Sequence, residues 1–280
     1  MFFKISNKKN DSANKLTLPP CALSVWSPSG ENTAHLSWEL SKGCSKHTGT
    51  FLAELPCLSI PKLGFAADIM DRDKNMDNFI IEFDKKNEVS FKFAHRINDD
   101  LAVLPANVYA APDFPVANRV EQETLIQVPV RIINMARKNG YPIIIFECQG
   151  QITTPMTFFA LQYSDYILIP VKEPAEIALA LLNIKRLVSA FKYSIKKFMI
   201  VSLQRESLED HLVINDDEGN NIGKVDTLEH NIDSIIGRLA TSVKVSESKD
   251  HQISAVGLKK LGAHGGWEDD PKDEEWIIRL

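Results

Sequence analysis

The chain is poor in the features that mark secreted, metal-clasping or membrane-spanning proteins. Its 280 residues hold four cysteines, Cys21, Cys44, Cys57 and Cys148, with no C-x-x-C pair and no close histidine group. That scatter excludes a disulfide framework and a zinc knuckle, and the four read as buried thiols. The seven histidines show no spacing that suggests ligands or a catalytic triad. Residues 1–15 are polar and basic after Phe2 and Phe3, and no apolar run is long enough for a signal peptide or a membrane span, so a cytoplasmic location is expected. No repeat of 20–50 residues is apparent. There is no basic excess either. The net charge of −5 argues against broad attraction to DNA or anionic lipid. No G-x-G-x-x-G follows the first apolar run, which disfavours a dinucleotide enzyme.

What is present is ordinary globular material, 44% hydrophobic and 25% charged, enough for one large packed core. Short apolar runs alternate with longer amphipathic stretches, the mark of βαβ units around a mostly parallel sheet, and hence of an α/β, three-layer, doubly wound fold. Strands are predicted at 22–26, 51–55, 101–104, 143–146, 166–171 and 198–203, with a last short one at 242–245. Helices are predicted at 33–42, stopped by Gly43, and at 118–138, where Pro129 forces a kink or a late start. Others are predicted at 174–191 and 232–239. Met76, Phe79, Ile80 and Phe83 fit a helix, whereas Phe79, Ile81 and Phe83 fit a strand. Neither 89–96 nor 206–230 carries a readable pattern.

Open parallel sheets bind ligands beyond the carboxyl ends of their strands, so the informative residues follow each apolar run. They are residues 27–33, Glu54, Pro105, residues 147–150 and residues 172–174. The first group reads Ser27-Pro28-Ser29-Gly30-Glu31-Asn32-Thr33, a small-residue loop between a strand and a helix. With Glu54 ending the second strand and Glu147 ending a later one, this layout resembles the ParA/MinD P-loop ATPases, especially the divergent pilus-assembly members related to CpaE and TadZ. The resemblance covers roughly residues 22–203 and extends through 153–174, a Thr/Pro turn, a short helix, a strand and the start of a long helix.

In that family the loop reads K-G-G-x-G-K-T, where glycine amides and lysines surround a triphosphate and the hydroxyl binds Mg²⁺. Here only Thr33 matches position for position. Both lysine places are neutral, Ser27 and Asn32, and Glu31 adds a negative charge. The resemblance therefore implies a degenerate phosphate loop. Residues Ser27 to Thr33 would contact nucleotide, Thr33 and Glu147 would hold Mg²⁺, and Glu54 and Glu147 would arrange the attacking water. One lost lysine weakens phosphate binding about tenfold to 150-fold, and hydrolysis suffers more because charge develops in the transition state. Weak ATP and Mg²⁺ binding with slow or no turnover is expected. The same residues equally suit plain structural parts: Pro28 and Gly30 as turn formers, Thr33 as an N-cap, and the two glutamates as solvated strand-end acids.

The expected division is a 1–20 polar extension, a single 21–262 ParA/MinD-like domain and a 263–280 tail. The tail sets an acidic run before Trp276, Ile277, Ile278 and Leu280. This suits an arm anchoring in a protein partner, or a tip folded on its own domain, and is opposite in charge to a membrane-docking helix. Lys185, Arg186, Lys192, Lys196 and Lys197 form a basic patch, a solvated face or thin support for nucleic-acid binding. The family further implies a homodimer, and a spatial organiser or assembly factor for a pilus, secretion or partition system. The alternative is a slow Mg-ATP switch that dimerises on nucleotide.

Overall fold

The computed structural model describes residues 16–55, 61–110, 115–148, 152, 154–204, 208–216, 218–229 and 231–242. All lie in a unit spanning 1–242. The elements in chain order are β1 (Cys21–Trp26), α1 (Thr33–Ser45), β2 (Thr50–Leu55), α2 (Leu63–Ala66), α3 (Met76–Lys86), β3 (His95–Asn98), β4 (Leu101–Leu104) and α4 (Gln122–Lys138). They continue with β5 (Ile143–Cys148), α5 (Pro155–Tyr163), β6 (Tyr166–Val171), α6 (Pro174–Phe191), β7 (Phe198–Ser202), β8 (His211–Asn215), β9 (Asn221–Glu229) and α7 (Ile232–Ser242).

The uninterrupted apolar runs became the middle of a nine-stranded sheet ordered β3-β4-β2-β5-β1-β6-β7-β9-β8. From β4 to β9 every pairing is parallel, while β3 and β8 run antiparallel at the two edges. Side chains alternate across these strands, so a strand buried on both faces must be apolar throughout. One face, with Phe51, Ala53, Ile144, Phe146, Ile167 and Ile169, packs against α3, α4, α5 and α6. The other, with Leu23, Val25, Leu52, Ile145 and Leu168, packs against α1, α2 and α7. This is the expected three-layer α/β arrangement.

The helix reading of 76–83 wins because Met76, Phe79, Ile80 and Phe83 are all buried and Asn75 caps the first turn, its side chain accepting from the Asn78 N–H at 3.0 Å. In α6, Pro174 at the first position and a reciprocal capping box between Glu173 and Glu176 fix the start where the sequence placed it. Two expectations fail, and so does the late-start alternative of a third. Gly43 does not stop α1; it lies within it, where an added Cβ would sit 2.5 Å from Ile232 Cγ2 and 2.8 Å from Ile236 Cδ1. Its role is the close approach of α1 and α7. Pro129 does not delay α4, which starts at Gln122 and runs through it. Burial of Leu125, Val128, Ile132, Ile133 and Met135 offsets the roughly 3 kcal/mol proline cost. Ser242 ends a helix rather than opening a strand; residues 243–245 lie outside the described residues. The unreadable stretches hold the antiparallel edges: β3, and the β8–β9 hairpin closed by the Asp216 carboxylate, which accepts from the Glu218 and Asn220 N–H groups.

Candidate functional site at the carboxyl ends of the central strands

Glu54 and Glu147 are register partners on adjacent parallel strands β2 and β5. Val25 of β1 follows Glu147 in the same row. By strand alternation both carboxylates face the α1 and α2 side of the sheet, the side on which residues 27–33 leave β1. Neither is solvated: Glu54 is 1% exposed and Glu147 is fully buried. The expectation of solvated strand-end acids is corrected by that burial.

The loop folds on itself before α1 begins. The Gly30 N–H donates to the Ser27 carbonyl at 2.9 Å, a tight turn over Pro28 and Ser29. Ser27 is buried, and its hydroxyl lies 2.8 Å from that of Ser29. Gly30 and Asn32 both take positive φ, 72° and 61°, conformations open to glycine and tolerated by asparagine. Pro28 and Gly30 thus do form a turn. Thr33 is not the N-cap: Asn32 holds that place, without a side-chain capping bond, and Thr33 is the first helical residue. Its buried hydroxyl instead donates to Glu147 Oε1 at 2.5 Å, across 114 residues of sequence. Loop, helix start and β5 acid are therefore one cluster.

Glu54 is engaged differently. Its Oε1 accepts the backbone N–H groups of Lys62, at 2.7 Å, and Leu63, at 3.0 Å, and its Oε2 accepts that of Ala106 at 2.9 Å. Burial pushes its carboxyl above the ordinary glutamate range, and the backbone donors at Leu63, Ala106, Lys62 and Gly64 oppose that rise. It ties the start of α2 and the turn after β4 to the sheet. Pro105, expected at the crevice, contributes its carbonyl to the Met76 N–H at 2.8 Å.

Two residues that sequence reasoning missed touch the loop. Lys62 Nζ lies 3.5 Å from the Gly30 carbonyl and 3.9 Å from Glu31 Oε2. Glu176 Oε1 accepts from the Ser29 hydroxyl at 3.3 Å, while its Oε2 accepts the Lys172 N–H. Neither carries a sequence motif. Lys62 follows a proline in a connection without periodicity, and Glu176 announces itself only through the capping box. Gln149, Gly150 and Thr153 lie outside the described residues.

For a divalent cation the donor set is oxygen-only, as Mg²⁺ requires. Because Thr33 gives its proton to Glu147, the hydroxyl's lone pairs face away from that bond, so Thr33 fits as a ligand with Glu147 behind it. Among the described residues no group of three or more His, Cys, Asp or Glu side chains could hold a metal. For a triphosphate the loop offers a tight turn, an uncapped helix start and no lysine of its own.

The solved structures agree with this architecture. The chain superposes on a ParA family ATPase from Chlorobium tepidum with a TM-score of 0.55 at 13% identity, covering 85% of this chain and 98% of that one. The fold is that of the ParA ATPases. Weaker likenesses are a plasmid partition protein from Borrelia burgdorferi bound to AMPPNP, TM-score 0.48 at 12% identity over 82% of each chain, and the MinC:MinD complex of Aquifex aeolicus, TM-score 0.49 at 16% identity over 66% of this chain and 69% of that chain. No family model and no curated protein matches the sequence. On the ParA-type sheet, residues 27–33 stand in the turn between the first strand and first helix.

Outside this cluster the other candidate residues are occupied or apart. The Lys192 and Lys197 ammonium groups donate to the carbonyls of Ser189 and Gln162 at 2.8 and 3.0 Å, which leaves the basic patch looser than its sequence spacing suggests. Cys21, Cys44 and Cys148 are buried, and burial pushes the Cys44 thiol up to about 12; Cys57 lies outside the described residues. No described helix is long and apolar enough to cross a membrane. The 267–280 tail and the 262/263 boundary also lie outside them.

Proposed function

We propose that this chain is a degenerate ParA/MinD-type nucleotide protein that binds Mg-ATP weakly, turns it over slowly or not at all, and acts in the cytoplasm through protein partners as a spatial organiser or assembly factor. The hydrogen bond from Thr33 to Glu147 carries the reading, because it joins the one surviving signature residue of the loop to the acid of β5. Thr33 and Glu147 would hold Mg²⁺, which when bound supplies charge neutralisation to the phosphates. Residues 27–32 would lie along the phosphates through their backbone. The side chains at the two lysine places are neutral, and Glu31 and Glu176 add negative charge at the loop, so transition-state stabilisation is poor. Glu54 is held by backbone donors on both oxygens and serves the scaffold rather than the attacking water.

The same Thr33–Glu147 contact also serves the alternative reading, a slow switch in which nucleotide binding drives homodimerisation. Equilibrium titration with a fluorescent ATP analogue and Mg²⁺ tests both. Dissociation constants of tens of micromolar to millimolar, weakened by Thr33→Ala, support the nucleotide site. Nucleotide-dependent dimer mass in light scattering would favour the switch. Binding absent at millimolar nucleotide would leave only the partner-binding scaffold.

A further inference from the structure

The loop has no lysine, but a lysine reaches it from another element. Lys62 stands directly before α2, 32 residues from Gly30, and its Nζ lies within 3.5 Å of the Gly30 carbonyl and 3.9 Å of the Glu31 carboxylate. Its backbone is fixed from below: Glu54 Oε1 takes the Lys62 N–H at 2.7 Å and the Leu63 N–H at 3.0 Å. Glu54 is the register partner of Glu147, which takes the Thr33 hydroxyl. One row of the sheet thus holds, side by side, the backbone from which a cation extends and the hydroxyl at the start of α1. Lys62 reaches the loop from β2, by way of Glu54, and Thr33 closes the loop onto β5, by way of Glu147.

The electrostatics require such a group. Glu31 and Glu176 place two carboxylates at the loop, and Lys62 brings a cation to Gly30 and Glu31. Its side chain remains 45% exposed, so the ammonium is free to leave the Glu31 carboxylate, a weak surface partner, for a polyanion.

We propose that Lys62 supplies in cis the phosphate-binding cation that residues 27–33 lack. The proposal rests on the nucleotide reading of that loop. Titration of a fluorescent ATP analogue with Mg²⁺ into wild type, Lys62→Gln, Lys62→Arg, Thr33→Ala and, as a distant control, Lys86→Gln separates the two claims. Losing a charge-assisted phosphate contact weakens binding about 10- to 150-fold. Lys62→Gln is expected to show that loss, Lys62→Arg to retain most of the affinity, and Lys86→Gln to match wild type. The Lys62→Gln titration should also depend less steeply on salt. Thermal melts confirm that the variants are folded. If wild type binds nothing at millimolar nucleotide, the nucleotide reading itself falls and Lys62 with it. If wild type binds, Thr33→Ala weakens it and Lys62→Gln stays within twofold, the site stands and the assignment to Lys62 is overturned.

Discussion

Replacing Thr33 by valine keeps the side chain's volume and β-branching and removes only the hydroxyl that donates to Glu147. Both residues are buried, Thr33 at 1% exposure and Glu147 at zero, so water cannot replace the lost donor without repacking. Removing one partner of a buried hydrogen bond and leaving the other unsatisfied costs about 1–3 kcal/mol. In a unit of this size each kcal/mol shifts the midpoint by about 2–4 °C. Thr33→Val should therefore melt roughly 2–12 °C below wild type by circular dichroism, and lower the urea midpoint with an unchanged slope. The double-mutant cycle with Glu147→Gln isolates the pair, and a coupling of about 0.5–3 kcal/mol is expected for groups in contact. A Thr33→Val midpoint within 1 °C of wild type, or strictly additive single variants, would refute the claim that this contact ties the loop to β5.

Three further outcomes follow from the same geometry. Glu31→Gln removes a carboxylate worth about 0.2–1 kcal/mol at a surface pair, so Mg-nucleotide affinity should rise about 1.5- to 5-fold, and a fall would contradict the electrostatic account. Glu54 has its pKa raised by burial, so its contribution is fullest below the ordinary glutamate range and is lost as pH rises through the raised value. The stability gap between wild type and Glu54→Gln should accordingly narrow as pH rises above the ordinary glutamate range in denaturant titrations; a gap that widens would reverse the assignment. Gly43→Ala gains about 1 kcal/mol of helix propensity but places a methyl within 2.8 Å of Ile232 and Ile236, an overpacking cost of about 1–3 kcal/mol. A net loss of stability is expected in thermal melts, and a clear gain would show that α1 and α7 are less tightly apposed.

Legibility followed the locality of the signal. The β5 run of Ile143, Ile144, Ile145 and Phe146 could be read because nothing polar interrupts it, and α6 because Pro174 at its head is a local mark. The loop and the two glutamates could be picked out as strand-end residues, since topology alone says where a crevice opens. What each glutamate does could not, because the partners of Glu54 return from residues 62, 63 and 106 and that of Glu147 from residue 33. Gly43 misled for the same reason: a helix stop and a close helix crossing look alike until α7 is in place. The β8–β9 hairpin escaped because its strands are half-exposed and the apolar run of β8 is only Leu212, Val213 and Ile214, of which Ile214 alone is buried.

The position of β1 in the sheet sets a schedule for assembly. Its two neighbours are β5 and β6, and it pairs with none of the strands that precede residue 143. During synthesis the first strand and the turn beyond it have no permanent seat until about half the chain has emerged, while β2 and β4 can pair early. Non-local closure of this kind is intrinsically slow. Any nascent chain interrupted before residue 143 would carry residues 27–33 without either strand that brackets them, so the crevice belongs wholly to the finished protein.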